Sequence, residues 1–243
     1  MTSIRQTGEL LRKMMIAVKD VVFPEYSDVP ETSALATIRE TLETLSDASV
    51  ADAFVQGLPQ IRHLISTDVK AIATIDPAVT EEKEIVFCYP AVTAMLHYRS
   101  AHLLHSLGVP IIPRMLTEHA HSVTGIDIHP ATQIGPYFAI DHGTGVVIGE
   151  TAIIGSHVTI YQGVTLGAKK FSFDADGRPV NLPRHPILED GVTVYSNASI
   201  LGRVTIGADS VIGGNVWLTH SVPPGSRILQ GQALESFCGG AGI

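Results

Sequence analysis

The chain has 243 residues, 45% of them hydrophobic, and a formal charge of −8. Such a length holds one large domain or two modest ones, and the acidic balance excludes a general nucleic-acid binder, which needs a basic face to displace counterions. No stretch reaches the roughly eighteen apolar residues of a membrane helix, and two cysteines far apart, Cys88 and Cys238, imply free thiols in a reducing, cytoplasmic compartment instead of a disulfide framework.

The first 122 residues read as helices. Leu10, Leu11, Met14, Met15 and Val18 recur at three- and four-residue steps, the spacing of an apolar stripe. Arg5, Arg12, Lys13 and Lys19 are interspersed with these positions, and no compact apolar core leads to a small-residue cleavage site. The segment therefore reads as a surface helix and not as a secretory signal. A second helix opens near Pro30 and runs to Ser46, with proline tolerated in the first turn. A third passes through Ile65, Val69 and Ile72 and stops before Pro77, which disfavours helical geometry at Asp76. A fourth begins at Pro90 and stops at Gly108. A short fifth covers Pro113 to Ser122.

From Gly125 the period becomes six. Ile128, Ile134, Ile140, Val146, Ala152, Val158 and Val164 form one register, and Ile148, Ile154, Ile160 and Leu166 form a second, two residues on. Both resume later, the first as Val192, Ala198, Val204, Ser210, Val216 and Val222, the second as Val194, Ile200, Ile206, Ile212 and Leu218. Such hexapeptides stack short strands into a parallel β-helix, with about 18 residues to a three-sided coil. A sandwich would show two-residue alternation with irregular turns instead. Between the two runs, residues 168–186 interrupt the beat with Lys169, Lys170, Asp174, Asp176, Gly177, Arg178 and Pro179, and read as a loop extruded from one coil. The expected organisation is a helical domain (1–122), a β-helix domain (123–230) and a tail (231–243).

Several stretches together, Gly125-Ile-Asp-Ile-His-Pro-Ala, Ile140-Asp-His-Gly-Thr-Gly-Val-Val-Ile-Gly-Glu-Thr, Tyr161-Gln-Gly-Val-Thr-Leu-Gly and Arg184-His-Pro, resemble the serine O-acetyltransferase family. The likeness extends upstream through Asp76-Pro-Ala, Tyr89-Pro and His97-Tyr-Arg-Ser-Ala-His, and spans roughly residues 66 to 224. Hexapeptides alone would indicate only a broad acyltransferase superfamily; the helical motifs narrow it to serine. The resemblance implies an α+β chain whose β-helix is left-handed, and an enzyme moving acetyl from acetyl-CoA to the hydroxyl of L-serine in cysteine biosynthesis. It implies no permanently bound cofactor, and among His129, His142, His157 and His185 no close pair offers the converging ligands of a metal site, so no metal is expected. It also implies a homotrimer or a dimer of trimers, without nucleic-acid or membrane partners.

The residue types fit that chemistry. A serine hydroxyl attacks a thioester only as its proton leaves, and a neutral imidazole suits that task. His142 is the expected base, and the resemblance makes Asp127 its orienting partner, fifteen residues away and close to one coil. Asp76 and Asp141 are carried over as contacts for the substrate ammonium and hydroxyl end, Arg184 as the fork for its carboxylate, and His185 as a further hydrogen-bonding group. No separate nucleophile accompanies the pair, so direct transfer in a ternary complex is expected. His97 and His102 read as packing residues of the fourth helix, and His119 and His121 lack a spacing for a shared metal.

The chain departs from the family's pattern at three places. Where the family has a short glycine-threonine-glycine loop near CoA, this chain has Gly167-Ala168-Lys169-Lys170 and the longer insertion. Gly167, Ala168 and Lys169 remain the expected cofactor-binding stretch, with the lysines either meeting CoA phosphates or solvated. The last coil reads Ile228-Leu-Gln-Gly-Gln-Ala, and Ile75 stands where many members carry arginine. Finally, Gly242-Ile243 looks like the ending by which many relatives bind cysteine synthase, a carboxylate caught by backbone donors with isoleucine in an apolar pocket. Two rival readings are an acetyltransferase for another hydroxyl acceptor and a scaffold that docks cysteine synthase.

Overall fold

The structure, a computed structural model, describes residues 2–231, so Gly242 and Ile243 lie outside it. Six α-helices come first: α1 (Ile4–Val22), α2 (Glu31–Leu45), α3 (Ala48–Ile75), α4 (Glu82–Cys88), α5 (Pro90–Ser106) and α6 (Ile112–Thr124). Local chemistry sets most of their ends. Ser3 and Gln6 form a reciprocal capping box on α1, and the Asp47 carboxylate accepts from the Val50 N–H at the start of α3. Pro30 sits just before α2 as its cap, one position outside the expected first turn. Pro77 stops α3 as expected: Asp76 turns extended at φ −101°, ψ 106°. Pro90 opens α5, and Gly125 closes α6 in the left-handed region at φ 71°.

The helical half has two features beyond the sequence expectation. Helix α4 lies between the third and fourth expected helices; only Ile85 and Val86 of its seven residues are buried, too few for a periodic stripe. Helix α3 runs unbroken past Pro59, its missing hydrogen bond offset by an extensive buried face that includes Phe54, Leu58, Ile61 and Ile65.

Strands begin at Asp127 and build three parallel faces. The first stacks Asp127–Ile128, Val147–Ile148, Thr165–Gly167, Ser199–Leu201 and Trp217–Leu218. The second stacks Gln133–Ile134, Ile153–Ile154, Ile187–Leu188 and Thr205–Ile206. The third stacks Ala139–Asp141, Thr159–Tyr161, Thr193–Val194, Val211–Ile212 and Arg227–Ile228. This is the parallel β-helix the six-residue beat predicts. The inserted loop carries a short antiparallel hairpin, Ser172–Phe173 with Pro179–Val180.

The registers need one correction. Ile128, Ile134 and Ile140 pair with Ile148, Ile154 and Ile160, so they belong to the second register and not with Val146. Asp141 pairs with Tyr161, twenty positions on, whereas Val147 pairs with Thr165, eighteen on. Two extra residues are thus inserted at the corner after Asp141, and His142 lies there. The last coil slips the other way: Ile206 bridges to Val222 and Ile212 pairs with Ile228, each sixteen on, so Val222 also belongs to the second register.

One hydrophobic cluster runs from Leu11 to Val222 through both halves. A buried ion pair fastens them: Arg99 donates to both carboxylate oxygens of Asp68 (2.7 and 2.8 Å) and to the Gly135 carbonyl, while Asp68 also accepts from the Phe138 N–H. Tyr98 donates to the Thr132 carbonyl at 2.6 Å alongside. With every charge partnered, removal of either member would strand the other in the core. Helix α3 is thereby fixed against the corner that leads into strand Ala139–Asp141. Among the described residues, no helix is long and apolar enough to cross a membrane.

Candidate active site

His142 is the first of the two inserted residues. Its backbone is left-handed (φ 56°), and the Gly143 N–H donates back to the Asp141 carbonyl at 2.7 Å, the three-residue turn that is rare because it is strained. Gly143 follows at φ 90°, where an added Cβ would run into Ile126, so glycine is required there. The turn throws the imidazole outward: its side chain is 75% exposed, and its Nε2 lies 3.9 Å from Asp141 Oδ1.

Facing it across a cleft of about 380 Å³ are Asp76, Cys88, Tyr89 and Ala91, with Asp141 and Thr144 on the β-helix side. The chain thus brings together three of the expected residues, Asp76, Asp141 and His142, from two different halves. Tyr89 donates to Asp76 Oδ2 and the Ala78 N–H to Asp76 Oδ1 at 2.8 Å. These two hydrogen bonds, Tyr89 first, hold the Asp76 carboxyl below the usual carboxylate range.

Asp127 is not brought to His142. It lies on the first face, stacked on Val147, with its carboxylate 3.7 Å from the Arg114 guanidinium. The fifteen-residue spacing falls short of a full turn because this coil takes twenty. Among the described residues, no hydrogen bond or ion pair joins the two. Glu118, His121 and Asp127 could each offer one ligand atom within 4.8 Å of the others. Arg114, bonded to Glu118 and near Asp127, already supplies a cation there.

Arg184 and His185 form a third group where the loop rejoins the coil. Arg184 donates to Glu150 Oε2 (2.7 Å) and Asn181 Oδ1 (2.6 Å), and Asn181 donates to Glu150 Oε1 (2.8 Å). This closed ring holds the guanidinium on an internal carboxylate. The ring of His185 lies on Gly149, where any side chain would collide with it, and Nδ1 accepts from the Thr151 N–H at 3.1 Å. Burial, then the Arg184 charge, pushes its pKa down to about 4. It is therefore neutral near pH 7, with its proton on Nε2, a hydrogen-bond donor rather than a charge.

Gly167 ends its strand, and the chain beyond Ala168 turns over the surface. Lys169, Lys170, Arg184 and Arg203 line a cleft of about 230 Å³ with Ser172, Leu201 and Thr219. Among the described residues, no carboxylate pairs with Lys169, Lys170 or Arg203. Arg203 instead donates to the carbonyls of Thr151 and His185 at 2.6 and 3.1 Å. Sequence reasoning gave no role to Tyr89, Glu150 or Arg203. Tyr89 and Glu150 stand inside quoted motifs, and Arg203 is a charged residue at a corner of an otherwise apolar repeat. His97 and His102 pack as expected, their Nδ1 atoms on the carbonyls of Thr93 and Pro130.

Known proteins resemble this arrangement over most of its length. Residues 185–220 match the family model of the bacterial transferase hexapeptide (six repeats). A plasmid serine acetyltransferase of Synechococcus elongatus is 52% identical over 198 residues, 81% of this chain; the chain spans only 62% of that relative's length. The serine acetyltransferase of Helicobacter pylori strain 26695 is 41% identical over 170 residues, covering 70% of this chain and 94% of that protein. Among solved structures, serine acetyltransferase 1 of Entamoeba histolytica in complex with L-cysteine has a TM-score of 0.80 at 34% identity, covering 89% of this chain and 86% of that one. The Neisseria gonorrhoeae serine acetyltransferase in complex with serine gives 0.68 at 29% identity over 89% and 82%. The Brucella abortus serine acetyltransferase in complex with coenzyme A gives 0.70 at 27% over 91% and 79%.

Proposed function

This chain belongs to the serine acetyltransferase family, and from that premise we propose that it transfers acetyl from acetyl-CoA to the hydroxyl of L-serine, releasing O-acetyl-L-serine and CoA for cysteine synthesis in the cytoplasm. The observation that carries the reading is the convergence of Asp76, Asp141 and His142 on one cleft. His142 takes the hydroxyl proton as the serine oxygen attacks the thioester carbonyl. The C–S bond then breaks, and the imidazolium returns the proton to the departing thiolate, so no acyl-enzyme forms. Asp76 receives the substrate ammonium and Asp141 steadies the hydroxyl end. The test is free-thiol release from acetyl-CoA on adding L-serine, set beside sugars and L-homoserine; a preference for another acceptor would overturn the assignment.

The site is proposed to be completed by a second copy of the chain. Asp127, the orienting carboxylate, and Arg184 with His185, the carboxylate-binding pair, stand apart from His142 within one chain. A homotrimer with its β-helices side by side would set those groups of one copy against the His142 cleft of the next. Serine's carboxylate then meets an Arg184 already held in a fixed orientation by Glu150 and Asn181, and neutral His185 donates from Nε2.

Acetyl-CoA is proposed to reach the cleft through the stretch Gly167, Ala168 and Lys169, with its phosphates at the basic cleft of Lys169, Lys170 and Arg203. In an acidic chain these unpaired cations are a local anion site. The Lys169→Ala/Lys170→Ala double variant is expected to raise the acetyl-CoA KM roughly fivefold to tenfold. It should also flatten the salt dependence of that KM and leave the serine KM nearly unchanged. Steady-state kinetics at two salt concentrations checks this; an unmoved acetyl-CoA KM would mean that the lysines are merely solvated.

A further inference from the structure

Two residue-before-proline junctions meet on the wall of the cleft that faces His142. Asp76 caps α3 and precedes Pro77; Tyr89 closes α4, its N–H bonded to the Ile85 carbonyl, and precedes Pro90, which opens α5. A following proline pushes each into extended backbone, φ −101° at Asp76 and −83° at Tyr89. Neither side chain can drift with a fraying helix end. Their meeting point is a 2.5 Å hydrogen bond from the phenol of Tyr89 to Asp76 Oδ2, with the Ala78 N–H on Oδ1.

We propose that Tyr89 is a positioning residue that sets serine affinity by locking the Asp76 carboxylate in the orientation that receives the substrate ammonium. Each oxygen of Asp76 accepts from one fixed donor, and the residue lines the cleft that also holds Asp141 and His142. Without the phenol, the carboxylate is free to rotate about its Cβ–Cγ bond and loses a donor that favours its ionised form. The hydrogen bond to Asp76, then burial, then the negative charges of Asp76, Glu84 and Asp141 push the phenol's own pKa up to about 12, so it remains a donor throughout the working range. The inference rests on the reading of Asp76 as the ammonium partner.

A double-mutant cycle tests it. Tyr89→Phe is expected to raise the serine KM about tenfold, the worth of one hydrogen bond to a charged group, with kcat and the acetyl-CoA KM within about twofold. In an Asp76→Asn background the same Tyr89→Phe change should shift the serine KM by less than about twofold, because the group it orients no longer carries the charge. Equal effects in the two backgrounds would show that Tyr89 touches serine directly or acts on the fold at large, and would overturn the proposal. So would a variant that loses kcat and acetyl-CoA affinity together. Wild-type protein inert toward serine would instead overturn the functional reading and take this inference with it, whereas an active wild type with an additive cycle overturns the inference alone.

Discussion

Replacing His142 with alanine or asparagine is expected to lower turnover by roughly 10²–10⁴, the usual contribution of a positioned general base. The imidazole stands on an inserted turn, largely exposed and outside the packed coil, so little of the core depends on it. Asparagine is the sharper variant because it tolerates the left-handed backbone at this position (φ 56°) and cannot accept the proton. Both proteins should unfold at temperatures close to wild type while the serine and acetyl-CoA KM values move little. Near-normal turnover in a folded His142→Asn protein would remove His142 from the mechanism.

Mixing two inactive variants should restore activity. In the proposed trimer, His142→Ala damages the cleft of one chain, and Arg184→Ala damages the group that a neighbouring chain would present to it. Purification through both tags selects the mixed trimers, and each has one interface of its three at which both wild-type groups meet, for a recovery of about a third of wild-type activity. Were His142 and Arg184 to serve the same chain's site, every site in the mixture would carry a lesion and recovery would be absent. The measurement is thiol release from co-expressed, differently tagged subunits, purified through both tags, beside each variant alone.

How much of this was legible in the sequence depends on what each residue answers to. The six-residue beat is imposed by the three-sided coil itself, so Val194, Ile200 and Ile206 announce their places without help. The slips at the His142 corner and after Leu218 are hidden because every second residue near a corner is also aliphatic, and Val146 continues the beat of Ile140 by coincidence. The helix ends at Asp76 and Pro90 follow from local steric rules on proline. Helix α4 does not, because its seven residues bury only Ile85 and Val86. Asp76, Asp141 and His142 could be named from motifs, and the fold places them together. That Asp127 and Arg184 stand apart from His142 could not be read, since the two extra residues that put Asp127 on another face of the coil are hidden in the repeat. The Glu150 ring around Arg184 was equally hidden, because it depends on how a sixteen-residue lengthening of one coil folds back: Ile154 pairs with Leu188, 34 positions on, where Leu188 to Ile206 takes eighteen.

Acceptor identity decides between the proposed function and its rivals, and a competition assay reads it. Equal concentrations of L-serine, L-homoserine and a hexose are offered together with limiting acetyl-CoA, and the acetylated products are weighed by mass spectrometry. O-acetyl-L-serine is expected as the dominant product, formed in step with free CoA and abolished in His142→Asn. Acetyl appearing chiefly on the hexose or on homoserine, or thiol released without any acetylated serine, would contradict it.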